Sequence, residues 1–202
     1  PAGYVFSIWS LVYVALIAWL IAYTREAPTR PKRFTSTSVL FVASCVLNVL
    51  WLALWHFELV GVSFIVIVAE WIVLASLYLN VRRTAKTGWG RVPISIYAAW
   101  VTVAALANMA ILITRALDGG VPFFNGLSVV LLTAGVLVLG YVMRKRYRDI
   151  AVPLVFFWAL IGVAVHVGEV SGFTSALVYI MCLAAAVITF VPLAKVRESL
   201  RN

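Results

Sequence analysis

The sequence predicts an all-α fold, a polytopic transmembrane helix bundle of about seven helices with the N-terminus out and the C-terminus in. Three observations carry this prediction. Of the 202 residues, 64% are hydrophobic and 11% charged, with a mean hydropathy of +1.07. A soluble domain carries about 25% charged residues and about 45–50% apolar ones, so lipid must be the solvent for most of this chain. The apolar residues also gather in runs of about 20, the length that crosses a bilayer core. Finally, the basic residues sit between alternate runs.

The candidate spans are roughly residues 3–24, 37–56, 61–81, 93–114, 123–143, 150–168 and 173–194. Breakers separate them: Pro28 and Pro31, Gly61, Gly88 and Gly90, Gly119 and Gly120, Gly168 and Gly172. The first connector holds Arg25, Arg30, Lys32 and Arg33, and the third holds Arg82, Arg83, Lys86 and Arg91. The fifth holds Arg144, Lys145, Arg146 and Arg148, and the tail holds Lys195, Arg197 and Arg201, which brings 15 of the 16 Lys and Arg to one side. Arg115 alone falls opposite, beside the acidic Glu58, Asp118 and Glu169. Six or eight crossings would break this alternation; seven preserve it. Short connectors make consecutive helices antiparallel neighbours, and the long first connector, with its two prolines, reads as a lid. No repeat, low-complexity segment or soluble domain stands out, and the first apolar run is too long for a cleavable signal. The expected location is a bacterial cytoplasmic membrane, with the protein as an integral multi-pass component.

A net charge of +9 would suggest nucleic acid in a soluble chain. Here the charge lies on alternate connectors, where it sets topology and attracts anionic headgroups, so no nucleic acid partner is expected. Cys45 and Cys182 lie inside apolar runs, with neither a metal-ligand spacing nor an expected disulfide.

Aromatic and amide residues recur at helical spacing in the first, second and fourth spans. Phe6, Trp9 and Tyr13 share one face, as do Asn48, Trp51 and Trp55, and Tyr97, Trp100, Ala104 and Asn108. Trp and Tyr commonly anchor helices at the interfaces or pack between them, which suits Trp19, Trp71, Trp89 and Trp158. Asn48 and Asn108 need partners in hydrocarbon, either another helix or a ligand. If a ligand, the aromatic faces form a flat-walled pocket for a planar, mostly apolar molecule.

These stripes carry a family resemblance. Gly3-Tyr4-Val5-Phe6 with Trp9 and Tyr13 resembles the opening helix of the TspO/MBR family, the tryptophan-rich sensory or translocator proteins. Leu47-Asn48-Val49-Leu50-Trp51 resembles that family's second-helix Leu-Asn-x-x-Trp, and Trp100 through Ala104 to Asn108 is similar to its fourth-helix Trp-x-x-x-Ala-x-x-x-Asn, with Tyr97 one turn earlier. The resemblance implies a five-helix ligand-binding bundle over residues 1–143. It also implies a porphyrin, haem-like tetrapyrrole or sterol-like lipid as ligand near the first inner loop, with Trp9, Asn48, Trp51, Tyr97, Trp100 and Asn108 lining the site. Tyr13, Trp55 and Glu70 complete the candidate ligand-binding set. The chain departs from the family pattern in four places: Tyr4 to Trp9 is one residue short, Pro93 is displaced from Tyr97, Glu70 falls further along its helix than the family's acidic residue, and two additional helices with a basic tail follow over 144–202.

Glu70 lies near mid-bilayer, where an ionisable group costs about 2.5–3.5 kcal/mol and therefore faces the interior, on the same face as Ser63 and Ile67. Three roles are open to it: a hydrogen-bonded structural group, a proton- or cation-coupled site, or a ligand contact. His56 with Glu58 and His166 with Glu169 close two helices on one side; such pairs can ligate a metal, but they read as interfacial caps. Gly135, Gly140 and the run from Ala184 to Ala186 suit close helix approach, within the bundle or in a homodimer or larger membrane complex.

The function expected is a membrane receptor or carrier of a hydrophobic planar ligand. The alternatives are a non-catalytic accessory subunit of a larger membrane complex and a small-solute transporter using Glu70. Internal repeats and paired broken helices, the marks of many transporters, are missing from the sequence. A retinal protein needs a Lys well inside its last helix, and Lys195 sits at the end. No nucleophile–base pair or phosphate loop points to an enzyme.

Overall fold

A computed structural model describes residues 3–25, 35–85, 89–116, 122–168 and 172–191. Among the described residues a 3-10 turn, Gly3–Ser7, precedes seven α-helices, and there is no strand. The helices are α1 (Ile8–Arg25), α2 (Ser36–His56), α3 (Val60–Thr84), α4 (Val92–Ala116), α5 (Pro122–Tyr147), α6 (Ala151–Gly168) and α7 (Gly172–Phe190). They follow the seven predicted spans. The first connector read as a lid, the tail, Asp118, Gly119, Gly120 and Glu169 lie outside the described residues.

Among the described residues four helical stretches, Gly3–Arg25, Ser36–His56, Val60–Thr84 and Val92–Ala116, are long and apolar enough to cross a membrane. At about 1.5 Å per residue, the 21 residues of α2 span roughly 32 Å, enough for a hydrocarbon core of about 30 Å. Polarity runs inside-out. On α2 the outward stripe is Val39, Val42, Val46 and Val49, whereas the buried face is Thr37, Ser44, Asn48 and Trp51. Water would invert that arrangement; lipid accepts it. The protein is an integral membrane helical bundle.

The chain divides into two compact units. The first runs Ser7–Gly119 and holds α1 to α4. Its α2 starts on a capping box: the Thr35 side chain accepts from Ser38 N–H, and Ser38 Oγ accepts from Thr35 N–H at 3.0 Å. The turn into α3 is only Phe57 to Leu59, with Glu58 in the left-handed region at φ 57°. So short a turn makes α2 and α3 antiparallel neighbours. α3 packs in turn on α4. α1 rests on α2 through Trp19 and Phe41, whose ring centroids are 5.0 Å apart, and on the α4 approach through Trp19 Nε1, which donates to the Gly90 carbonyl at 3.1 Å.

The second unit comprises Pro1–Phe6 and Gly120–Asn202, with α5, α6 and α7. Its core is Leu160, Ala164, Val178, Cys182 and Ala185, with Val129, Leu137, Phe157 and Val163 packed against it. Gly140 lets α5 approach Phe156 and Pro153 on α6. Tyr4 meets Trp158 edge-on, and the Trp158 indole donates to the Val5 carbonyl at 3.2 Å. Cys45 and Cys182 are both free thiols.

Candidate ligand site

α3 is the spine of the site. Its buried positions Val60, Ser63, Ile67, Glu70, Leu74, Leu77 and Val81 alternate steps of three and four, the pattern of a seam that meets neighbouring helices. Two of them are polar, Ser63 and Glu70, each 0% exposed. A carboxyl group there has to find its donors inside the bundle. Asn48 Nδ2 donates to Glu70 Oε1 from α2 at 3.1 Å, and the Tyr97 hydroxyl donates to the same oxygen from α4 at 2.9 Å. The carbonyl of Ser44 lies 3.4 Å from that hydroxyl. Glu70 Oε2 has no hydrogen-bond partner among the described residues.

A second polar layer lies two turns away, roughly 10 Å along α3. The Trp51 indole N–H lies 3.2 Å from the Asn108 amide. An indole N–H only donates, so the amide oxygen faces it. In that orientation the oxygen also accepts from Ser63 Oγ at 2.9 Å, and the amide nitrogen donates to the Val60 carbonyl at 3.3 Å. Asn108 thus joins α2, α3 and α4 through one side chain.

The indoles close the space beside these layers. Trp9 of α1 lies 6.2 Å from both Trp51 and Trp100, tilted against the first and edge-on to the second. Tyr13 stacks on Trp9 at 5.4 Å, and Trp55 leans on Trp51 at 6.0 Å. Trp51 and Trp100 are 6% and 2% exposed, whereas Trp9 is half-buried and Tyr13 is 43% exposed. The cluster is packed ring on ring, with its loosest members on α1. A cavity of about 370 Å³ opens at the α2–α3 turn, lined by Trp55, His56, Glu58, Val60, Ile111 and Arg115. Glu58 pairs there with Arg115 at 3.6 Å, both largely exposed, which contributes little to stability.

All nine sequence-selected residues fall in the Ser7–Gly119 unit, and each touches another member of the set through a ring contact, a hydrogen bond or the Asn108 amide. Phe6 lies in the 3-10 turn before α1 and is exposed. The neighbouring Tyr4 and Val5 serve α6. Two contributors escaped selection: Ser44, four residues before Asn48 on the same face, and Ser63 as the partner of Asn108. The Ser44-Asn48-Trp51 spacing carried a signal for the first.

A buried carboxyl, two buried amides and stacked indoles on four antiparallel spans define a tryptophan-rich polytopic membrane protein. The family model described as TSPO-like protein matches residues 1–194, and the chain belongs to that family, within the TspO/MBR group. The match extends through all seven helices. No curated protein and no solved structure matches the chain.

Proposed function

We propose that this protein is a membrane receptor or carrier for a hydrophobic planar ligand, a tetrapyrrole such as a porphyrin or a sterol-like lipid, held among the indoles of α1, α2 and α4. The observation that carries the reading is the meeting of Trp9, Trp51 and Trp100 from three helices, beside amides that both have partners. Family membership supports it. A planar ligand enters by replacing ring-on-ring contacts with its own faces. Trp9 and Tyr13 yield first, because they are more exposed than Trp51 and Trp100. Each 100 Å² of ligand face removed from water contributes about 2.5 kcal/mol, which offsets the lost ring pairs at about 0.5–1.5 kcal/mol each. Trp51 stays fixed by its bond to Asn108 and forms the floor.

Quenching of indole fluorescence by porphyrins and sterols in detergent tests this. Saturable quenching of the wild type is expected, with affinity about tenfold weaker in Trp51→Ala and Trp100→Ala. Equal, weak quenching of all three proteins would end the assignment. The reading includes a bacterial cytoplasmic membrane as the location, with the N-terminus out, supported by the alternation of basic connectors.

A further inference from the structure

Glu70 is fully buried, yet only half of its carboxyl group is used. Both donors, Asn48 and Tyr97, converge on Oε1, and Oε2 meets no donor among the described residues. A buried carboxyl oxygen left so carries its full desolvation penalty in the folded state. The described cations of this unit, Arg25, Arg82, Arg83, Arg91 and Arg115, all sit in or beside the last turn of a helix or in a connector, so none lies beside Glu70 along the bundle axis.

The groups around it are aromatic. Asn48 lies one turn from Trp51 and Tyr97 one turn from Trp100, so the donors to the carboxyl and the indoles share two helix faces. Tyr13 stacks on Trp9, whose ring meets both Trp51 and Trp100. Indole and phenol faces attract cations, and a carboxyl oxygen without a donor attracts an N–H donor. No group of three or more His, Cys, Asp or Glu that could hold a metal ion occurs among the described residues. The same surroundings disfavour an anion, which the carboxyl repels.

We infer that Glu70 Oε2 is the docking point for the ammonium group of a lipophilic aromatic amine, whose planar body lies against the Trp9, Trp51 and Trp100 rings. Asn48 and Tyr97 hold the carboxyl so that its second oxygen stays available. The carboxyl has already lost its water on folding, so that part of the pair's desolvation cost does not recur on binding. The inference rests on the proposed opening of the indole cluster and adds the charge and donor chemistry of what enters.

Two matched probes test it: 1-pyrenemethylamine, protonated at neutral pH, and the neutral 1-pyrenemethanol, both followed by indole-to-pyrene energy transfer in nonionic detergent and corrected with empty micelles. Wild type should bind the amine about tenfold or more tightly than the alcohol, and Glu70→Gln should erase that preference while leaving alcohol affinity within about twofold. Glu70→Leu removes the carboxyl without leaving a buried amide to satisfy and should likewise erase the preference, which keeps the test decisive if Glu70→Gln does not fold. Equal affinities in wild type, or a preference that survives Glu70→Gln, overturns the inference. A porphyrin titration run alongside separates the two claims. Porphyrin binding without amine preference defeats this inference alone, and amine preference without porphyrin binding defeats the tetrapyrrole reading alone.

Discussion

Asn108 shows how much a single amide settles inside lipid. Its spacing from Trp100 puts it on the inner face of α4, and hydrocarbon demands that it find partners. The sequence leaves those partners open; the fold supplies Trp51 Nε1, Ser63 Oγ and the Val60 carbonyl. Asn108→Leu therefore leaves an indole N–H buried without an acceptor. It should lower stability by about 1–2 kcal/mol, read as the shift of an unfolding midpoint in mixed detergent micelles. Trp51→Phe removes the donor and the need for it together, so Asn108→Leu in that background should cost clearly less, with a coupling of about 0.5 kcal/mol or more. Glu70 makes the contrary case. Its depth and inward direction follow from sequence alone, but that both of its donors choose one oxygen does not.

The helices owe their limits to local chemistry that the residues already display. Thr35 and Ser38 start α2, and basic side chains crowd the last turns of α3 and α5, where they complement the helix dipole. Between α5 and α6, Arg148 turns the chain at φ 51°, and the Asp149 carboxylate accepts the Ala151 N–H at 3.0 Å. Asp149→Ala should cost about 1 kcal/mol by the same unfolding measurement. Gly162 on α6 has a tighter role. A Cβ there would lie 2.0 Å from Val5 Cγ2, and Val5 is a stiff, β-branched side chain that is fully buried. Gly162→Ala should destabilise by about 1–3 kcal/mol through overpacking, and Val5→Ala in the same chain should recover part of that loss. Nothing in the spacing of residues 5 and 162 announces that they meet. Their contact follows from the 3-10 turn packing on α6, a long-range event.

Across the molecule, the exposed apolar stripes and the buried polar ones exchange their usual places, as lipid solvation requires. Orientation follows from the charge of the connectors rather than from packing. In a Cys45→Ala, Cys182→Ala background, Glu58→Cys should react with a membrane-impermeant maleimide added to intact cells, and Arg148→Cys only after lysis. The reverse pattern would invert the orientation read from the 15 basic residues. Packing makes α5 a partner of α6 and α7, through Gly140 against Phe156 and through the Leu160–Val178 core. A chain ended after Tyr147 should therefore leave α5 protease-sensitive in detergent.

Helix number, span length, the choice of lipid as solvent and the inward faces of α2, α3 and α4 can all be read from the residues. Each is a property of consecutive amino acids, set by hydropathy, the 3.6-residue period and the charge between spans. Which atoms meet inside was decided only by assembly: two donors on one Glu70 oxygen, the orientation of the Asn108 amide, the closed ring packing of Trp9, Trp51 and Trp100, and the seat of Val5 against Gly162. Those contacts depend on how far each helix is rotated and raised against its neighbours. Lipid exerts no hydrophobic pressure to fix those rotations, so shape and hydrogen bonds between distant residues fix them instead.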